Sequence, residues 1–135
     1  MQTPAPVRSL VAVLLLLASS LTAAADPAAP AVRAEIDVLL GKLQSSGCEF
    51  YRNGSWHNGA EAKAHLLVKL DYLETRNAVP STEKFIELGA SSSSFSGQPY
   101  RVKCGAAAPI DSSIWLSAEL KAIRSAAKAQ ASPAR

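Results

Sequence analysis

Cys48-Glu49-Phe50-Tyr51-Arg52-Asn53-Gly54-Ser55-Trp56-His57 is the stretch whose reading decides the fold. Two short β-prone runs flank Asn53-Gly54. An Asn-Gly pair is the strongest short hairpin signal, because both central positions of a type I′ turn need positive φ. An antiparallel hairpin is therefore expected here. The stretch opens on one of only two cysteines in the chain. The other closes Tyr100-Arg101-Val102-Lys103-Cys104, which alternates with period two and reads as a strand. Two cysteines allow a single intramolecular pairing. A Cys48–Cys104 bridge would tie that strand to the start of the hairpin. A redox-active pair is the other reading, but no Cys-x-x-Cys spacing is present to lower a thiol pKa. His57 and His65 with two distant cysteines make a poor zinc set by spacing, and neither metal nor cofactor is expected.

Helical periodicity surrounds these strands. Val32, Ile36, Leu39, Leu40 and Leu43 fall at i, i+4, i+7, i+8 and i+11, an amphipathic stripe that Gly47 can close with a left-handed cap. Asn58 or Gly59 caps a second helix expected over Ala60–Thr75, with Ala62, Leu66, Leu70 and Leu73 on its core face. Pro80 and the N-cap Ser81 announce a short third helix to Ala90, with Phe85, Ile86 and Gly89 inward. Ser91 to Pro99 reads as an irregular loop, and Gly105 to Asp111 as a turn-rich connection. A last helix starts near Ser112, with Leu116, Leu120, Ile123 and Ala127 on one stripe and Trp115 over its flank. The fold class is α+β: about four helices packed with a small antiparallel sheet, a hairpin plus one strand, and one disulfide.

The N-terminus carries Arg8, the apolar run Leu10 to Leu17, and then Ala23-Ala24-Ala25. That is the layout of a secretory signal peptide, with cleavage expected after Ala25. A spanning helix needs about 20 predominantly apolar residues, so no stable membrane anchor is expected after cleavage. Residues 26–31 read as a flexible leader, 32–127 as one small domain and 128–135 as a frayed tail. An oxidising compartment lets a disulfide persist, and a domain of this size gains from one. The net charge of +3 spreads without a Lys/Arg block or basic stripe, so nucleic acid is not an expected partner.

Three constellations could carry chemistry. In Arg52-Asn53-Gly54-Ser55-Trp56-His57, Trp could stack on a sugar and Arg could grip an anion. The plainer reading makes Asn53 and Gly54 the turn and packs Trp56 on the core, leaving Arg52 and His57 open. Asn53-Gly54-Ser55 is also a glycosylation sequon, relevant only in a eukaryotic secretory host. On the second helix, Glu61, His65, Lys69 and Tyr72 make one stripe that could serve acid–base chemistry. The plainer and preferred reading is a border snorkelling around the core, with an i, i+4 Glu61–His65 pair at its head. Burial at that rim would push the His65 pKa down. Third, Ser96-Gly97-Gln98-Pro99-Tyr100 with Arg101 and Lys103 could hold an anion, or be a connector. No Gly-x-Ser-x-Gly elbow or Ser-x-x-Lys motif supports a serine nucleophile.

Ser46-Gly47-Cys48, Phe50, Arg52-Asn53-Gly54, Glu61-Ala62, His65-Leu66 and Lys69 lie in one stretch. Ser94-Phe95-Ser96-Gly97, Pro99-Tyr100, Cys104, Trp115-Leu116 and Glu119-Leu120 follow. Together they resemble the YfeK-like family of small bacterial exported proteins, a domain of unknown function (5329), over about Ile36 to Arg124. The resemblance implies a periplasmic protein of a Gram-negative bacterium with a Cys48–Cys104 disulfide. It implies no activity or substrate. It raises Arg52, Asn53, His65, Lys69, Ser96 and Gly97 as a polar set that folding would unite if hairpin, second helix and serine loop share a face. The leading expectation is a non-enzymatic binding or interaction module of the cell envelope, its partner an envelope protein or a cell-wall fragment. The alternative is an inhibitor or immunity protein against a cell-wall-degrading enzyme, with the hairpin or Ser91–Gln98 as its plug. A further alternative is a small hydrolase using His65 as base beside Lys69 and Tyr72.

Overall fold

The computed structural model describes residues 2–4 and 28–132. The expected signal peptide, apart from residues 2–4, lies outside that range, as do residues 133–135. Among the described residues four helices and four short strands follow in chain order: α1 (Pro30–Ser45), β1 (Glu49–Arg52), β2 (Ser55–His57), α2 (Gly59–Glu74), α3 (Thr82–Gly89), β3 (Arg101–Lys103), β4 (Ile110–Asp111) and α4 (Ser112–Ala131). The strands form one antiparallel sheet in the order β2-β1-β3-β4. The class is α+β, as the alternating patterns require. None of the described helices is long and apolar enough to cross a membrane.

The hairpin forms at Asn53-Gly54, with φ of 47° and 90° at the two turn positions. Arg52 pairs with Ser55 across this two-residue turn, and the register continues as Tyr51 with Trp56 and Phe50 with His57. On the other side Phe50 pairs with Val102 and Glu49 with Lys103. Successive residues of a strand face opposite ways. Phe50, Arg52, His57 and Val102 thus share the helix-covered face, while Glu49, Tyr51, Trp56, Arg101 and Lys103 share the outer one.

That register corrects the placement of Trp56. It does not pack on the core. It is 37% exposed on the outer face, with its ring against Tyr51 and Lys103 Nζ above it. Arg101 and Lys103 point the same way and are held near Asp111 and Glu49. A fourth strand, Ile110–Asp111, replaces part of the expected turn-rich connection, pairing with Arg101 and Val102.

The core is centred on α1, with the other three helices around it and the sheet against α2 and α4. Ile36, Leu39, Leu40 and Leu43 of α1 are completely buried, because α1 packs against α2, α3 and α4. Leu66 and Leu70 of α2, Phe85 and Ile86 of α3, and Leu116 and Leu120 of α4 close around it. Trp115 covers the flank, edge-on to Phe50 at 5.7 Å. Arg124 on α4 binds Glu35 of α1 and Glu83 of α3, clasping the far side.

The helix ends follow local chemistry. Asn58 caps α2 in a capping box: Glu61 N–H donates to Asn58 Oδ1 at 2.9 Å, and Asn58 N–H donates to Glu61 Oε2 at 3.1 Å. Ser81 caps α3 by accepting from Lys84 N–H. Gly59 begins α2 so close to the end of α1 that a Cβ would sit 2.7 Å from Gln44 O. Two boundaries differ from expectation. Pro30 already begins α1 inside the expected leader, because proline suits the first helical turn. α4 runs to Ala131, through the first half of the stretch expected to fray, and Ala127 is exposed rather than on the packed stripe.

Cys48 and Cys104 are joined, their Cα atoms 4.3 Å apart. They flank the Glu49–Lys103 pair, so the bond staples β1 to β3 directly below the hairpin.

Candidate functional site

Four side chains from three separate stretches meet on the covered face of the sheet. Arg52 ends β1. Tyr100, just ahead of β3, points to the same side as Val102 and is 7% exposed. His65 and Lys69 lie one turn apart on α2, which crosses above. Arg52 Nη1 donates to His65 Nδ1 at 2.5 Å. The other ring nitrogen, Nε2, lies 3.0 Å from Tyr100 Oη. Lys69 Nζ donates to Tyr100 Oη at 3.1 Å and to Ser92 O at 2.8 Å.

The proton positions follow from what each group can do. A guanidinium can only donate, so Nδ1 accepts and Nε2 carries the hydrogen. Nε2–H therefore donates to Tyr100 Oη, which also accepts from Lys69. Both Tyr100 lone pairs are used, and its hydroxyl hydrogen is left over. Burial lowers the His65 pKa to about 4, helped by the positive charges of Arg52, Lys69 and His57. The imidazole is neutral at pH 7. Burial, then Arg52, also lowers the Lys69 pKa. Burial raises that of Tyr100 against the pull of Arg52.

The serine loop is fastened to the hairpin turn beside this group. Ser96 Oγ donates to Asn53 Oδ1 at 2.6 Å, and Asn53 Nδ2 donates to Ser93 Oγ at 3.1 Å. Ser93 Oγ also accepts from Phe95 and Ser96 N–H, and Gly97 N–H donates to Ser93 O. Gly97, at φ 72°, reverses the chain so that Ser92 and Pro99 can bridge. The loop is thus more ordered than an irregular connector.

All six residues of the polar set therefore come together: Arg52, His65 and Lys69 around Tyr100, and Asn53, Ser96 and Gly97 at the adjoining turn. The expected Glu61–His65 pair does not form, because Glu61 is taken by the Asn58 cap and lies 3.5 Å from His57 Nδ1. Tyr72 is outside the group, exposed under the Arg76 guanidinium. Ser93 is the member that motif reading passes over, and Tyr100, which closes the third constellation, is not joined there to His65 and Lys69. Period two from the buried Val102 marks Tyr100 as inward, whereas nothing local marks Ser93.

A small hollow of about 40 Å³ opens beside the group. Arg52, His65 and Tyr100 line it together with the apolar Leu43, Phe50, Ala62 and Leu66, and His57, Glu61 and Arg101 add further polar groups to its lining. Among the described residues neither Arg52 nor Lys69 has a carboxylate within salt-bridge distance. No group of three His, Cys, Asp or Glu side chains among them could hold a metal ion.

Comparison with known proteins places this geometry in a family context. The model of a family of unknown function (DUF5329) matches residues 30–124. An uncharacterized protein, YfeK, of Salmonella typhimurium strain LT2 is 46% identical over 68 residues, covering 50% of this chain and 55% of that protein. The chain thus aligns with about half the length of this curated relative. No solved structure matches.

Proposed function

The chain belongs to the DUF5329 family, whose function is unknown, and on that premise we propose that it is a non-enzymatic binding module of the cell envelope. It works in the periplasm of a Gram-negative bacterium after loss of the signal peptide. Its partner is an envelope protein or a cell-wall fragment, and its site is Arg52, Asn53, His65, Lys69, Ser96 and Gly97 with Tyr100. One observation carries this reading: residues far apart in sequence converge on one half-buried, cation-rich group without carboxylate partners. Desolvating two cations side by side opposes folding. A binding role gives that cost a purpose.

The test is retention and titration. Immobilised protein is exposed to periplasmic extract, and peptidoglycan fragments are titrated against it in solution. Wild type retains a partner or fragment, and Arg52→Ala and Lys69→Ala lose it. Equal retention by the variants, or none by wild type, removes the proposal.

The inhibitor reading has one observation of its own. Phe95 is 97% exposed at the tip of a loop braced by Ser93 and Asn53. A braced loop loses little entropy on docking, which suits a plug. Protection of a cell-wall-degrading enzyme's substrate that is lost in Phe95→Ala would favour it. No protection across lysozyme-type and amidase enzymes removes it. The hydrolase reading fares worse, because both His65 ring nitrogens are engaged and neither is free to take a substrate proton.

A further inference from the structure

The binding reading leaves the ligand open, and the donor count at the site narrows it. Around Tyr100 the available hydrogens outnumber the acceptors. Arg52 uses one of five guanidinium N–H bonds on His65, with no other protein acceptor recorded among the described residues. Tyr100 Oη accepts twice, so its own hydrogen has no protein partner there. Ser92 O is occupied by Lys69. The carboxylate that also lines the hollow, Glu61, is committed to the α2 cap and lies beside His57. The unmet need is an acceptor carrying negative charge.

The hollow sets the size and character of what is attached to that acceptor. The apolar Leu43, Phe50, Ala62 and Leu66 line it alongside Arg52 and Tyr100. A volume of about 40 Å³ is roughly that of three water-sized spheres. It takes a methyl or ethyl group, whereas a ring would project out of it. Arg52 matches a carboxylate with its planar fork, Tyr100 adds a third donor, and Lys69 acts through its charge behind Tyr100 rather than by touching the ligand.

We propose that Arg52 and Tyr100 bind a short aliphatic carboxylate, of the kind presented by a chain ending in alanine, with its methyl group in the Leu43–Leu66 hollow. This rests on the binding reading and specifies its ligand. Inorganic phosphate offers the charge without the apolar arm and is the weaker ligand.

The probes are N-acetylalanine of each hand, N-acetylalaninamide, N-acetylphenylalanine and inorganic phosphate. Each is titrated at pH 7 into the disulfide-intact protein and followed by NMR. N-acetylalanine of at least one hand binds and moves the Arg52 and Tyr100 signals. The amide and the phenylalanine derivative bind at least tenfold more weakly. Tyr100→Phe, which keeps the ring, weakens binding about threefold to tenfold, the usual worth of one hydrogen bond. Lys69→Met also weakens it. Equal binding of acid and amide, phosphate binding as tightly as the carboxylate, or no binding by any probe overturns the proposal. A wild-type protein that retains an envelope partner through Arg52 and Lys69 but ignores these probes leaves the binding reading standing and removes only this assignment.

Discussion

Removing the Cys48–Cys104 bond should cost this domain a large share of its stability. The bond closes a loop of 56 positions, and chain entropy makes such a cross-link worth about 4 kcal/mol at 25 °C. Domains of this size hold only about 5–15 kcal/mol in total. For roughly 100 residues each kcal/mol moves Tm by about 4–8 °C, so Cys48→Ala with Cys104→Ala should lower Tm by roughly 15–30 °C. Location makes the loss local as well as global. The bond flanks the Glu49–Lys103 pair, four positions from Tyr100 on one chain segment and from Arg52 on the other. Amide exchange at Arg52, Asn53 and Val102 should therefore accelerate more than at Leu40 in the middle of α1. Thermal melts followed by circular dichroism, with exchange measured by NMR, read both effects. A double variant that melts within about 5 °C of wild type, or that exchanges uniformly faster everywhere, would refute the reasoning.

Other outcomes follow from the same geometry. His65 has its pKa lowered from 6.5 to about 4, so between those values the unfolded chain binds more protons. Its contribution is full above about pH 6.5 and is lost as pH falls to 4. After allowance for its partial exposure this is about 1 kcal/mol, visible as an acid limb in urea midpoints that His65→Gln flattens. Gly59→Ala drives a Cβ to within 2.7 Å of Gln44 O and should cost about 1–3 kcal/mol in denaturant melts. Asn58→Ala removes the α2 cap and should cost about 1 kcal/mol; an unchanged midpoint would deny the capping box any role. Phe95→Ala, by contrast, should change stability by less than about 0.5 kcal/mol, because the ring is 97% exposed.

Much of this was legible residue by residue. The helical stripes, the Asn53-Gly54 turn and the cysteine pairing are all local or two-body patterns. The outward placement of Trp56 was also legible, since a two-residue turn pairs Tyr51 with Trp56 and puts both opposite Phe50. Asn58 and Glu61 are a capping box on sight, which already forbade Glu61 from serving His65. β4 was not legible: two residues beside Pro109 carry no period, and the pairing exists only because β3 offers an edge. At the site, Arg52, His65 and Lys69 could be suspected, but the contact of Arg52 with His65, and those of His65 and Lys69 with Tyr100, depend on α2 crossing the sheet at that height. Ser93 takes its role from an exposed turn 40 residues away, a relation no local pattern encodes.

The central claim is that Arg52, His65, Lys69 and Tyr100 form a binding site and not merely a stable polar corner of the core. Chemical-shift mapping with muropeptides that end in a free carboxylate tests it most directly, in the disulfide-intact protein at pH 7. The account predicts that the Arg52 Nε–H, His65 Nε2–H and Tyr100 signals move together and saturate, while those of Tyr51 and Trp56 on the outer face stay still. Shifts confined to the outer face, or none at millimolar ligand in a protein that also retains no envelope partner, would contradict it.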